Sequence, residues 1–160
     1  MKLCIPEKVK IVEALCPQVQ GTLTGDYISC KNAHKVWIVV HATQAAANTI
    51  PITVEQATNV SAGSSKAITV AANIWANEDC VTSDLLVKQT SAVGFTTSAA
   101  TKHKLVIIQV DPATLDSANG FDCLTVKIAS GSASNIVAAQ YWLDYRYGGP
   151  VAGMPSAIVD

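Results

Sequence analysis

Apolar and polar residues alternate with a period of two along much of this chain, a pattern typical of strands with one buried face. The clearest alternation covers residues 49–57. Its even positions are apolar and are predicted to point inward: Ile50, Ile52 and Val54. Its odd positions are predicted to point outward: Thr49, Thr53 and Glu55. Pro51 cannot donate a hydrogen bond to a neighbouring strand, so it predicts an edge strand or a bulge here.

The preceding stretch, residues 35–43, carries apolar side chains at both parities. One face holds Val36, Ile38, Val40 and Ala42, and the other holds Trp37, Val39 and His41. This pattern predicts a central strand that is covered on both sides. A short connection of small residues leads from it to residues 49–57, and we expect the two strands to form a hairpin. Residues 103–111 predict a second central strand.

Further short apolar runs follow at a spacing of about 10 residues, with turn residues between them. We therefore predict an all-β fold: an antiparallel, jelly-roll-like β-sandwich. Asp111 followed by Pro112 predicts one short helical turn near 112–117, because Asp caps helices and Pro suits their first position. We divide the chain into an N-terminal arm or first strand (1–25), the sandwich (26–144) and an extended C-terminal tail (145–160). The tail is rich in Gly and Pro and has no periodicity.

Composition changes this picture in one respect, the small number of charges. Only 14% of the 160 residues are charged, against about 25% in average proteins, and 49% are hydrophobic. Either the core is large or other proteins cover much of the surface. The net charge is −1 without any block of like charges, so we expect no nucleic-acid partner and no membrane partner. An early Glu7 and the lack of a long apolar run predict a protein that stays in the cytoplasm of the cell that makes it.

Candidate chemistry is sparse, and we predict no catalytic residue, no cofactor and no metal. His34, His41 and His103 have no ligand partners at metal-binding spacing. Acidic residues gather at predicted turns, where Asp commonly caps the backbone, which leaves calcium as the one metal to test. An enzyme is the third of our three hypotheses for the function, because no nucleophile, base and orienting group can be named together. The five cysteines are odd in number and form no Cys-x-x-Cys pair, so we expect reduced thiols.

The aromatic residues allow two interpretations. They are Trp37, Trp75, Trp142, Tyr141, Tyr145 and Tyr147. A platform of this kind can stack on sugars, but packing in a core or an interface is the more frequent use of aromatic side chains.

Several segments of the chain resemble a family of small virion structural proteins from tailed bacteriophages and prophages. They include Asp26-Tyr-Ile-Ser-Cys-Lys-Asn-Ala, Ile52-Thr-Val-Glu-Gln-Ala-Thr-Asn-Val, Asp111-Pro-Ala-Thr-Leu-Asp and the ending Met154-Pro-Ser-Ala-Ile. The resemblance implies a capsid decoration (cement) protein, often a homotrimer, that binds the major capsid protein on the outside of the virion shell and stabilises the head. The alternative is a neck or tail component, or a carbohydrate-binding module displayed on the particle.

For such a role we predict two groups of interaction residues. The first lies on the predicted edge strand, where another subunit could approach: Thr49, Thr53 and Glu55. The second lies in the tail, which we expect to act as an arm that contacts a neighbouring subunit or the capsid: Tyr145, Arg146, Tyr147, Met154, Pro155 and Ile158.

Overall fold

The computed structural model describes residues 4–146 and 153–159 as a two-layered β-sandwich. A four-residue helix, α1 (Ile5–Lys8), precedes the first strand. In chain order the strands are β1 (Val9–Val19), β2 (Leu23–Thr24), β3 (Ile28–Ser29), β4 (Ala33–Thr43), β5 (Pro51–Ala57), β6 (Lys66–Ala67), β7 (Asn73–Asn77), β8 (Val87–Lys88), β9 (Gly94–Thr96), β10 (His103–Val110), β11 (Cys123–Ile128) and β12 (Ile136–Tyr145). The predicted all-β sandwich is confirmed.

The strand order is that of a jelly roll. Sheet A has the order β1-β12-β4-β10-β7-β8, and sheet B has the order β2-β11-β5-β6, with β3 beside β11 and β9 beside β5. Early strands pair with late ones in nested antiparallel fashion: β1 with β12, β2 and β3 with β11, β4 with β10, and β5 with β9. These nested pairs alternate between the two sheets, as in a hairpin rolled up into a sandwich. Strands β7 and β8 extend sheet A beyond this core.

The predicted inward positions fill the space between the sheets. Ile50, Ile52 and Val54 of the β5 region are at most 1% exposed, and Val36 and Ile38 of β4 are fully buried. Strand β4 lies between β12 and β10, and β10 lies between β4 and β7, so both predicted central strands are confirmed.

The predicted hairpin between residues 35–43 and 49–57 is wrong, because β4 and β5 belong to different sheets. Both strands have an apolar inner face, and the connection between them crosses from one layer to the other so that these faces meet. The buried amide of Asn135 holds the crossing in place: its Oδ1 accepts hydrogen bonds from the backbone N–H groups of Ala45 and Ala46, each at 2.9 Å.

The edge position predicted from Pro51 is also wrong. Strand β5 has β11 on one side and β6 and β9 on the other. Pro51 is tolerated because it is the first residue of the strand, where its carbonyl accepts a hydrogen bond from Ala129 N at 3.1 Å.

The two ends of the described chain pack onto the sandwich. Eleven residues of the 1–25 region form β1, which pairs with β12 along its length. The described part of the predicted tail does not extend away from the domain. Met154 is 7% exposed and Ala157 is 1% exposed, and the Ala157 carbonyl accepts a hydrogen bond from Ser29 N at 2.7 Å.

The turn predicted near 112–117 is present as two short 3₁₀ turns, Pro112–Thr114 and Ser117–Asn119. The Asp111 carboxylate caps the first turn by accepting from Ala113 N at 3.0 Å. The hydrogen bond from the Lys35 ammonium, followed by the one from the Ala113 amide, lowers the pKa of Asp111.

One buried hydroxyl joins the two sheets, and its removal should be costly. Tyr141 of β12 is fully buried; its hydroxyl accepts from Val126 N of β11 at 3.0 Å and donates to the Asp26 carbonyl at 2.9 Å. We expect Tyr141→Phe to lower the free energy of unfolding by about 1–3 kcal/mol, because a buried backbone N–H loses its acceptor. Urea unfolding measures this change, and an unchanged midpoint would contradict the role of the hydroxyl.

Candidate interaction surfaces

The outer face of sheet A carries all three tryptophans of the chain. We call it the tryptophan face and define it by the outward side chains of five strands: Ile11, Trp37, Val39, Trp75, Leu105, Ile107, Ala138 and Trp142. These residues share one side of the sheet because their Cα atoms are paired across neighbouring strands.

The pairing arranges this face in rows that run across the strands. One row contains Ile11, Trp142, Trp37, Gln109 and Asn73. The next row contains Glu13, Gln140, Val39, Ile107, Trp75 and Lys88. Apolar groups and amides occupy the middle of both rows, and the charged side chains of the second row stand only at its two ends.

No described element of the chain covers this face as a third layer. Ile11 remains 44% exposed, and Trp37, Trp75 and Trp142 are each partly exposed. The Trp142 indole donates to its neighbour Gln140 Oε1 at 3.2 Å, which fixes the orientation of both side chains. An apolar face that extends across five strands marks a surface that another molecule can bury.

The outer face of sheet B has the opposite character. Glu55 and Lys127 form an ion pair at 2.7 Å, and Ser65 donates to Glu55 at 2.6 Å. Partial burial raises the pKa of Glu55, but the hydrogen bonds from Lys127 and Ser65 outweigh it and hold the pKa below its usual value. This face is polar and internally satisfied, so the two sides of the sandwich differ strongly.

A second exposed apolar area lies in the connection from β7 to β8. We call residues 81–87 the aliphatic loop. Its apolar side chains are highly exposed: Val81 67%, Leu85 69%, Leu86 42% and Val87 57%. Val87 pairs with Ala76, whose side chain is buried on the inner side of sheet A, so Val87 points away from the tryptophan face. Val87 and the three tryptophans therefore lie on opposite sides of sheet A.

Hydrogen bonds hold the backbone of this loop in one conformation. Asn77 Nδ2 donates to the Ser83 carbonyl at 2.7 Å, and Ser83 N donates to the Asp79 carbonyl at 3.0 Å. The Asp79 carboxylate accepts from Thr82 Oγ1 at 2.7 Å and pairs with Lys102 at 3.1 Å. The loop thus presents its aliphatic side chains on a fixed frame, which reduces the entropy lost when a partner binds.

The residues predicted for interaction from the sequence do not form one site. Thr49 and Thr53 are exposed and Glu55 is partly buried, and β5 offers no open edge beside them. In the tail, Arg146, Pro155 and Ile158 are exposed, whereas the side chains of Tyr145 and Met154 are buried in the core. Tyr145 is further fixed by donating its hydroxyl hydrogen to the Pro155 carbonyl at 3.1 Å. Tyr147 lies outside the described residues.

The tryptophan face was missed because apolar residues at both parities were interpreted as two-sided burial. One side of β4 is buried; on the other side Val39 is 9% exposed, Trp37 is partly exposed and His41 is exposed. The aromatic residues that were grouped together also separate: the three tryptophans share the outer face, but Tyr141 and Tyr145 point into the core. A signal was present in the sequence: each tryptophan stands at an outward position of its own strand, Trp37 in β4, Trp75 in β7 and Trp142 in β12.

Titratable side chains gather at one end of sheet A without forming a metal site. His41 and His103 line a shallow depression of about 290 Å³ together with Cys80 and Pro17, and Thr43 Oγ1 lies 3.1 Å from His103 Nδ1. Within residues 4–146 and 153–159, no three His, Cys, Asp or Glu side chains are close enough to hold a metal ion.

The same described residues contain no helix that is long and apolar enough to cross a membrane.

No protein-family model, no curated protein and no solved structure matches this chain. The candidate surfaces therefore rest on the geometry described above.

Proposed function

We propose that this chain is a non-enzymatic virion structural protein, a decoration protein that binds the major capsid protein on the outside of a bacteriophage shell. The observation that carries the proposal is the presence of two exposed apolar areas on a jelly-roll sandwich, the tryptophan face and the aliphatic loop. A protein that cements a shell needs at least two contact areas, because it must join one neighbour to another. The resemblance of its sequence to virion structural proteins supports the same role.

The aliphatic loop suits the contact with the shell. Leu85, Leu86 and Val87 are consecutive exposed aliphatic residues on a hydrogen-bonded frame at the margin of sheet A. Interfaces concentrate their binding energy in a few apolar side chains that enter pockets of the partner. Repetition of even a modest contact over a capsid lattice would give a strongly held layer. The homotrimer implied by the resemblance stays a prediction, and a two-fold pair of copies in solution would exclude it.

Charges placed in the loop should abolish binding to the shell. We expect the double variant Leu85→Asp, Leu86→Asp to lose at least 100-fold in affinity, because two desolvated aliphatic contacts would be replaced by buried unpaired charges. Co-sedimentation with shells assembled from the capsid protein of the same virus measures this loss. Both positions are exposed, so the variant should unfold at the wild-type temperature.

Thr53→Lys is the matched control, because it adds a charge at an exposed position on the polar face of sheet B. It should bind shells like the wild type. Wild-type protein that does not sediment with the shells, or that images at one vertex in a few copies instead of across the lattice, would refute decoration and favour the neck or tail alternative.

A carbohydrate-binding module is the second candidate, and the tryptophan face favours it. Three indoles on one flat sheet face, with Gln109, Gln140 and Asn73 beside them, provide both stacking surfaces and hydrogen-bonding groups for sugar rings. A glycan array distinguishes the two functions: tight binding that is lost in Trp142→Ala and kept in the Leu85→Asp, Leu86→Asp variant would establish the sugar-binding alternative.

A further inference from the structure

We propose that two copies of this chain pair through the tryptophan face, related by a two-fold axis that runs parallel to the strands between β4 and β10. The inference rests on the proposed function, because it assigns a second copy of the chain as the partner of one of the two contact areas, the tryptophan face. Val87 of the aliphatic loop would then stay available to the shell, because it points to the other side of sheet A.

The size of the face is adequate for a stable pair. Six strands at a spacing of about 4.8 Å give a width of about 29 Å, and the eight-residue β4–β10 ladder is about 27 Å long. Because β7 has only five residues and β8 only two, we take the usable area as roughly 600–800 Å² per copy, close to the ~800 Å² per partner of a standard interface. Two sheet faces of this kind pack about 10 Å apart at a small angle.

The charges select the orientation of the second copy. Glu13 and Lys88 stand at opposite ends of the same row, on β1 and β8, and both are exposed. A two-fold axis parallel to the strands exchanges the two ends, so Glu13 of each copy faces Lys88 of the other. An axis perpendicular to the strands through this row would place Glu13 against Glu13 and Lys88 against Lys88, which is unfavourable.

The same axis matches the neutral side chains. The exchange of β4 with β10 places Val39 opposite Ile107 of the second copy, next to the axis. The two exchanges, of β4 with β10 and of β12 with β7, place each tryptophan opposite an amide side chain. The facing pairs are Trp37 with Gln109, Trp142 with Asn73, and Trp75 with Gln140. An amide that stacks on an indole, or donates to its ring, fills the gap between sheets without leaving a charge unpaired.

Charge reversal tests this arrangement. We expect sedimentation equilibrium of the wild type to give twice the chain mass of 16.7 kDa. Glu13→Lys and Lys88→Glu should each weaken the pairing tenfold or more, since each symmetric dimer contains the contact twice and the reversal makes both repulsive. The double variant Glu13→Lys, Lys88→Glu restores opposite charges and should return the dissociation constant to within about threefold of the wild type.

Two further variants separate pairing from folding. Trp37→Ala should weaken the pairing, and Thr53→Lys on sheet B should not change it; far-UV circular dichroism verifies that each variant is folded. A monomeric wild type, a mass of three chains, or single reversals without effect would overturn the inference. Pairing and shell binding fail independently: a monomer that coats shells refutes only the pairing, and a dimer that ignores shells refutes only the decoration function.

Discussion

An Ile52→Asp variant is expected not to fold. Ile52 lies in β5, is 1% exposed, and pairs with Ile128 on one side and Phe95 on the other. Aspartate at this position would place a charge between the two sheets without a partner, at a cost of several kcal/mol in addition to the lost apolar packing. Because a domain of this size is stable by only about 5–15 kcal/mol, this one change is enough to remove most of its stability.

The adjacent position provides the matched control. Thr53 points to the outer side of sheet B and is exposed, so Thr53→Lys should keep the wild-type fold, with only a small loss of about 0.2–1 kcal/mol from its like-charged cross-strand partner Lys127. Near-UV circular dichroism and urea unfolding of the two variants measure the difference. A cooperatively folded Ile52→Asp protein would contradict the register of β5, since a shift of one residue would move every side chain of the strand to the other face.

The period-two pattern predicted this register correctly, because alternate side chains of a strand point to opposite faces and only one face of β5 lies between the two sheets. Parity does not say which sheet a strand joins. Strands β4 and β5 are neighbours in the chain, but the seven residues between them carry no tight-turn signal that would demand a hairpin. The crossing depends on Asn135, 89 residues away from Ala46, and such a long-range hydrogen bond leaves no local trace in the sequence.

Parity was also ambiguous for the candidate site. Apolar residues on both faces of β4 and β10 fit a strand that is buried on two sides. They fit equally well a strand with one face in the core and one apolar face exposed on the surface. Only the arrangement of the layers decides between them: the described residues form two sheets, and Trp37 and Ile107 on the outer side of sheet A stay partly exposed. The low overall charge of the chain and the strand positions of its three tryptophans were the features of the sequence that favoured an uncovered surface.

The C-terminal segment was misjudged for a related reason. A segment rich in Gly and Pro has no periodic face, so its buried residues cannot be recognised by pattern. Met154 and Ala157 nevertheless enter the core, while the described residues on either side of each of them are exposed. Their side chains pack against the core, and two hydrogen bonds hold the segment there: Ser29 N donates to the Ala157 carbonyl, and the Tyr145 hydroxyl donates to the Pro155 carbonyl.

A pair of adjacent substitutions in this segment tests its docking. Ala157 is 1% exposed, and Ile158 is 55% exposed. We expect Ala157→Asp to cost about 3 kcal/mol or more, because its carboxylate would be buried without a partner, whereas Ile158→Asp should be nearly neutral. If the segment served only as an arm for another subunit, both substitutions would leave an isolated chain unchanged.

Hydrogen exchange locates the effect. The Ser29 amide donates to the Ala157 carbonyl at 2.7 Å, so its exchange reports directly on whether the segment is docked. In Ala157→Asp the segment can detach before the sandwich unfolds, and protection at Ser29 should then fall while protection in β4 and β10 is kept. Equal protection of Ser29 in Ala157→Asp and Ile158→Asp would contradict docking. Loss at Ser29 alone would identify the segment as a separate cooperative unit that closes one end of the sandwich.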